Sequence, residues 1–218
     1  MRKLASHRNV CTLYSRYIYK YRAFLVMELC ETDLRSLIIR QGGRVSKKVA
    51  LTIGAALART VALMHSENVI HFDLKARNVL FRRVPTSAAE CRQYLRICDL
   101  GLAKLEGAEG IVGSTGGGTY THQTPEQFWG LQSNADLTKV DVYGLGVVLW
   151  ELLTGERPWK GKTKEEVTRA VCEGKRPSLK KIGHGQRWLL KWMWDEDPSK
   201  RPTAEKCAEV LEAQALNC

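Results

Sequence analysis

Apolar and polar positions change rhythm several times along the chain, and each change predicts an element. Residues 10–19 and 23–29 are rich in β-branched, aromatic and aliphatic side chains and flank a basic turn, Lys20-Tyr21-Arg22, which predicts a β-hairpin. Asp33 stands before a short apolar run at 34–40, the arrangement of an N-cap and a short helix, and Gly42-Gly43 ends it. Ser46 opens a long helical pattern to about Ser66: Ala50, Ile53, Leu57, Val61 and Met64 recur at spacings of 3, 4, 4 and 3, one helix face. The pair Val69-Ile70 precedes a polar segment, 71–78. Two short strands are predicted at 79–81 and 95–98, separated by a polar insertion at 82–92. Residues 105–121, with Gly116-Gly117-Gly118, read as a mobile loop. Residues 138–153 predict a helix apolar almost all round, which implies deep burial. Further helices fit 164–173, 186–194 and 203–211, with breaks at Pro158, Pro177 and Pro198. A small β piece followed by a mainly helical body, with no repeat or long linker, makes an α+β chain.

Composition narrows the class. The 218 residues are 44% hydrophobic and 26% charged, enough apolar material for a core in one large domain or two small ones. The longest apolar stretches are 142–153 and 49–64. The first is too short for a bilayer and holds Glu151, the second holds Arg59, and no membrane span is expected. Residues 1–10 carry charges without an apolar run, so no signal peptide is expected. The net charge of +11 suits nucleic acid, phosphates or acidic peptides. The basic residues are scattered, however, with short clusters only at 160–164 and at Lys180-Lys181. Solvated surface is the simpler reading, and no nucleic-acid motif is present. Seven cysteines without a Cys-x-x-Cys pair argue for reduced thiols in the cytosol or nucleus, against a disulfide framework or a zinc site.

Candidate chemistry gathers around the two short strands. If 79–81 and 95–98 pair as an antiparallel hairpin, its open ends lie together. Asp73, Lys75 and Asn78 precede the first strand and Asp99 follows the second, so the four converge. Two carboxylates, an amide oxygen and an ammonium suit a hard cation and a polyanion. Mg²⁺ takes carboxylate oxygens together with substrate phosphates, and a free carboxylate opposite it accepts a hydroxyl proton. Taken singly, an Asp before a strand is more often a turn residue, and Asp-Leu-Gly is a common tripeptide.

Taken together, ordered signatures resemble the eukaryotic protein kinases. His71-Phe72-Asp73-Leu74-Lys75-Ala76-Arg77-Asn78 resembles the catalytic loop, with Phe72 where Arg is usual. Asp99-Leu100-Gly101 resembles the metal-binding Asp-Phe-Gly. Gly118-Thr119 with Thr124-Pro125-Glu126 resembles the end of the activation segment, with Thr for Ala. Residues 141–152 resemble the buried central helix of the large lobe, and Asp197-Pro198 with Arg201-Pro202-Thr203 the segment before the last helix. Residues 141–152 and Thr154-Gly155-Glu156-Arg157-Pro158-Trp159 are similar to Raf-like and plant mitogen-activated kinase-kinase-kinase domains of the tyrosine-kinase-like group. The His71-Phe72-Asp73 wording is also similar to some plant Raf-like members. Lys75 and Thr119 resemble serine/threonine rather than tyrosine kinases.

The resemblance implies an α+β, protein-kinase-like fold: a mostly helical large lobe over 30–218 and a remnant of the β small lobe, its last two strands, over 1–29. It implies a serine/threonine protein kinase domain that uses ATP and Mg²⁺ on a protein substrate, in the cytoplasm, with no nucleic-acid partner. Asp73 matches the catalytic carboxylate, Lys75 the cation that neutralises the transferring phosphoryl, and Asn78 and Asp99 the metal ligands. Met27 resembles the gatekeeper of the adenine pocket, Glu28 and Cys30 the main-chain partners of adenine, and Leu80 its apolar floor. Ordinary core packing is the plainer reading of Met27 and Leu80, and the two readings can hold together. Glu126 and Arg201 resemble a buried ion pair, Asp141 an acceptor of catalytic-loop N–H groups, and His71, Leu100 and Leu13 a hydrophobic stack. Trp188, Trp192 and Trp194 read as packing residues rather than a binding box.

Three departures set expectations. His7-Arg8-Asn9-Val10 resembles the segment after the family's second helix. The Gly-rich loop, the ATP-anchoring Lys and its Glu partner are therefore expected to be missing, and this chain alone to have little or no activity. The alternative is an inactive, pseudokinase-like protein-binding scaffold. Phe72 cannot bind a loop phosphate, which puts control through Ser114, Thr115 or Thr119 in doubt. Thr119 is instead expected to hydrogen-bond Asp73 and Lys75. Asp73 and Asp99 lie 26 positions apart, several more than the family's usual spacing, with the excess in a surface turn.

Overall fold

The computed structural model describes Leu4 and residues 7–105, 119–131 and 135–218. Strand β1 (Leu13–Tyr19) turns into β2 (Arg22–Met27) through Lys20 and Tyr21, whose φ values of 45° and 62° are both left-handed. Two consecutive positive φ values give a turn whose twist matches the strands. Tyr17 and Phe24 stack across the pair at 5.0 Å. The hairpin is tied down at its base: the Glu28 N–H donates to the Thr12 carbonyl and the Cys11 N–H to the Ile97 carbonyl, both at 2.8 Å. Its blades are exposed, including Ile18, Tyr19, Tyr21 and Leu25.

A short strand, β3 (Thr32–Asp33), leads into α1 (Leu34–Arg40), and the Asp33 carboxylate caps it by accepting the Ser36 N–H at 3.0 Å. Ser46 caps α2 (Lys47–Ser66) through the Val49 N–H, as its sequence position predicts. Then β4 (Val69–Ile70), β5 (Val79–Phe81), α3 (Ala88–Tyr94) and β6 (Leu95–Ile97) follow. β3, β5 and β6 form one antiparallel sheet, and β4 pairs with β7 (Lys104–Leu105). The helical body continues through α4 (Pro125–Trp129), α5 (Thr138–Thr154), α6 (Lys164–Cys172), α7 (His184–Met193) and α8 (Ala204–Leu216).

The core is α2 packed against α8 and α5. By length and composition α2 is apolar enough to cross a membrane, but 67% of that window is buried inside the fold. α5 is buried nearly all round, as its composition predicts. Gly144 on α5 lies against Leu74: a Cβ there would sit 3.2 Å from the Leu74 Cβ and 3.3 Å from its carbonyl oxygen. The absent side chain therefore lets the segment at 71–78 rest directly on the helix. At the C-cap of α5, Gly155 has φ 74°, and a Cβ there would overlap the Gly43 carbonyl oxygen.

Two expectations change. The insertion at 82–92 is not simply a polar turn: Ser87 caps α3, whose Cys91 is buried and whose Tyr94 packs on the core. The last helix runs past 211 to Leu216 because no breaker intervenes. Of the mobile loop expected at 105–121, residues 106–118, with Ser114, Thr115 and Gly116-Gly117-Gly118, lie outside the described residues.

A buried, bidentate ion pair braces the helical body. Arg201, fully buried, binds Glu126 through Nη1 at 2.6 Å and Nη2 at 2.9 Å. It also donates to the Asp195 and Lys139 carbonyls and lies over the Tyr143 ring at 5.1 Å. Glu126→Ala leaves that guanidinium unpaired, and urea unfolding is expected to show a loss of about 3–5 kcal/mol. A loss below about 1 kcal/mol would mean that the pair is solvated.

Candidate active site

The loop between β4 and β5 is built on a single side chain of α5. Asp141, 1% exposed, accepts the His71 N–H at 2.8 Å through Oδ2 and the Phe72 N–H at 2.9 Å through Oδ1. His65 Nε2 of α2 also lies 2.9 Å from Oδ2. These bonds hold Phe72 at φ 67°, a conformation that a bulky side chain seldom adopts. The Phe72 ring packs against the cluster of Ile70, Leu131, Leu137 and Val140. His71 is fully buried and uses both ring nitrogens: Nδ1 accepts the Asp73 N–H at 3.2 Å, and Nε2 lies 3.0 Å from the Cys98 carbonyl. The proton is therefore on Nε2, and the ring joins the two acidic segments.

Asp73 is 7% exposed and held from three sides. Its Oδ2 accepts from Lys75 Nζ at 2.5 Å and its Oδ1 from the Thr119 N–H at 2.9 Å. Asn78 Nδ2 donates to the Asp73 carbonyl at 2.9 Å and to Oδ2 at 3.3 Å. Lys75 also donates to Thr119 Oγ1 at 2.9 Å, so Thr119 sits between Asp73 and Lys75 as the sequence predicts. Burial alone would raise the Asp73 carboxyl. The hydrogen bonds from Lys75 and Thr119 outweigh it and hold the group below its ordinary value, ionised at neutral pH.

The strand pairing brings Asn78 and Asp99 to one end of the sheet. Val79 faces Ile97, and the Cys98 N–H donates to the Asn78 carbonyl at 2.9 Å. Asp99 is left-handed at φ 62° and exposed. Among the described residues its carboxylate has no hydrogen-bond donor, and neither has the Asn78 Oδ1. The same residues contain no cluster of three or more His, Cys, Asp or Glu side chains fit for a metal ion. A cation here has one carboxylate and one amide oxygen, a donor set that fits Mg²⁺ completed by phosphate oxygens.

Beside Asp99 a cavity of about 430 Å³ opens, walled by Leu13, Met27, Glu28, Leu80, Ile97 and Leu100 among others. Met27, Glu28, Leu80 and Asp99 thus share one cavity, while Asp73, Lys75 and Asn78 lie together beyond its acidic end. Cys30 is not in the cavity wall; its thiol hydrogen-bonds Cys11, and this bond and burial hold its proton more tightly than in a free thiol. The Glu28 side chain does more than its sequence position implies. It is buried against Arg96 at 3.1 Å and Arg82 at 2.8 Å, a cluster that locks the base of the hairpin to β6. The available signal was Arg96 itself, a cation between Leu95 and Ile97 in a buried strand, which requires a carboxylate partner.

The chain matches the protein kinase domain family over residues 1–211. It belongs to that family. The kinase domain is 30% identical over 209 residues to CDPK-related kinase 5 of Arabidopsis thaliana, covering 94% of this chain and 33% of that protein. It is 33% identical over 178 residues to the serine/threonine/tyrosine-protein kinase HT1 of Arabidopsis thaliana, covering 77% of this chain and 40% of that protein. Serine/threonine-protein kinase 33 of Bos taurus is 26% identical over 220 residues, covering 98% of this chain and 44% of that protein. The kinase domain therefore spans less than half the length of these relatives. Membership implies use of ATP, a divalent metal and a protein substrate in general terms.

The depressed Asp73 carboxyl has a signed consequence. A folded-state value below the unfolded one stabilises the fold at pH above the unfolded value, near 4, and that contribution is lost as pH falls through the folded value. Urea unfolding should show Asp73→Asn less stable than the wild type at pH 7, with the difference shrinking below about pH 4. A difference that grew on acidification would contradict the assigned hydrogen bonds. Asp141→Ala removes the acceptor for two N–H groups at about 1–3 kcal/mol each, and the same measurement checks it.

Proposed function

We propose that this domain transfers the γ-phosphoryl group of ATP, bound as its Mg²⁺ complex, to a serine or threonine hydroxyl of a protein. The observation that carries the reading is the ionised Asp73 carboxylate held between Lys75 and the Thr119 N–H, on the loop that presents Asn78. Asp73 orients the acceptor hydroxyl and takes its proton, and Lys75 neutralises charge on the phosphoryl in transfer. Asn78 and Asp99 would hold the cation, which would supply positive charge to the nucleotide phosphates. The cavity takes adenine, with Met27 as gatekeeper and Leu80 as floor. The main chain at Glu28 and Cys30 meets the edge of the base; the Glu28 carbonyl receives only a weak contact, from Cys11 Sγ at 3.6 Å.

In this reading residues 1–29 contribute the small-lobe side of the nucleotide site and 30–218 the large lobe. Lys75 and Thr119 favour a serine or threonine acceptor over tyrosine. The wording of 141–159 and the likeness to HT1 support the tyrosine-kinase-like group, and the set of reduced thiols supports a cytoplasmic setting. Phe72, packed in its apolar cluster, offers no cation to a phosphorylated activation loop. A silent scaffold is the weaker reading, because the acid, the ammonium, the amide and the second acid are all retained.

The test uses the full-length gene product and a set of serine and threonine peptides. Asp73→Asn is expected to lower kcat by about 10²–10⁴-fold, and Asp99→Asn to weaken ATP binding only when Mg²⁺ is supplied. Undiminished transfer by Asp73→Asn would refute the assignment.

A further inference from the structure

A second cleft, of about 330 Å³, lies on the other side of Lys75 and Thr119. Its walls are α1, the turn Tyr120–His122, the foot of α5 and the loop at 157–162. Six cations line it: Arg35, Lys75, Arg77, Arg157, Lys160 and Lys162. The single carboxylate among its described lining residues is Glu151, 3% exposed, which Arg35 meets at 3.6 Å and His122 Nε2 at 3.1 Å. Among the described lining residues no unpaired carboxylate thus faces the space.

The cations divide into two kinds. Lys75 is committed to Asp73, Arg35 to Glu151 and Lys162 to Glu166. Arg77, Arg157 and Lys160 are exposed and have no hydrogen-bond acceptor or ion-pair partner among the described residues. Elsewhere on the surface Lys175, Lys181 and Lys206 already hold Glu173, Glu156 and Glu209. The loop that carries two of the three unpaired cations is bent through Trp159 at φ 56° and Gly161 at φ 80°, closed by the Lys162 N–H on the Trp159 carbonyl at 2.9 Å. Lys160 stands at the tip of that turn.

We infer that this cleft selects substrates whose acceptor serine or threonine is flanked by side-chain oxyanions, either carboxylates or phosphates already in place; the inference rests on the phosphotransfer reading and names its substrate class. Unpaired cations gain charge-assisted hydrogen bonds from an oxyanion without breaking an existing pair. The same cations repel substrates with basic flanks, so attraction and exclusion act together. Lys160, within the basic run at 160–164, thereby acquires a role beyond solvated surface.

The test is fluorescence anisotropy with labelled serine peptides whose flanks are aspartate, phosphoserine, alanine or lysine, titrated with the full-length gene product. The aspartate or phosphoserine peptide, or both, should bind at least about tenfold tighter than the alanine peptide, and the lysine peptide weaker still. Raising the salt to about 0.5 M should collapse the difference. Arg157→Glu with Lys160→Glu should abolish the preference, and Arg157→Gln with Lys160→Gln serves if the reversal does not fold. Lys180→Glu with Lys191→Glu, an equal change of charge outside the cleft, should leave the preference intact. Equal binding of all four peptides would overturn the inference, as would a preference surviving the cleft variants or tighter binding of single-stranded RNA than of the acidic peptides. ATP binding and transfer, measured on the same preparations, distinguish failure of the phosphotransfer reading from failure of the peptide preference alone.

Discussion

The fold depends most on one buried carboxylate. Asp141, inside the most deeply buried helix, takes the consecutive backbone N–H groups of His71 and Phe72 and faces His65 of α2. It fixes a left-handed residue, Phe72, immediately before Asp73. The backbone leading into Asp73 is therefore anchored by the helical core, while Lys75, Asn78 and Thr119 hold its carboxylate. Gly144, one helical turn along α5, lets Leu74 sit directly on the same helix. A loop anchored at both points has little freedom, as preorganised chemistry requires.

His71 carries that order across to the second acidic segment. One ring nitrogen serves the Asp73 N–H and the other the Cys98 carbonyl, while the Cys98 N–H reaches the Asn78 carbonyl. A two-strand ribbon and one imidazole thus couple residues 26 positions apart in sequence. The cavity walled by Met27 and Leu80 opens at the Asp99 end of this ribbon, and the basic cleft opens on the far side of Lys75. One loop therefore lies between an apolar cavity of about 430 Å³ and a cationic cleft of about 330 Å³.

Much of this was legible in the sequence where local chemistry decides. Asp33 and Ser46 cap the helices they precede because a short side-chain oxygen there meets an orphan N–H. The hairpin, the long α2 and the pairing of β5 with β6 follow from periodicity and spacing. α3 was not legible, since a single fully buried residue, Cys91, leaves no period to read. β3 and α4 are too short to produce one. In the site, Asp73, Lys75, Asn78 and Asp99 were readable as residue types in order, and Thr119 as their neighbour. The Glu28–Arg96 and Arg35–Glu151 pairs were not, because their partners lie 68 and 116 positions apart and only the tertiary fold joins them.

The proposed function requires that Asn78 and Asp99 share one cation at the end of the β5–β6 ribbon. Paramagnetic relaxation by Mn²⁺ added with ATP, read on the full-length gene product with labelled asparagine and aspartate, tests it most directly. Selective broadening of the Asn78 side-chain amide and of the Asp99 backbone is expected, lost together in Asp99→Asn. Broadening confined to other acidic residues, or broadening at Asn78 that leaves Asp99 sharp, would contradict it.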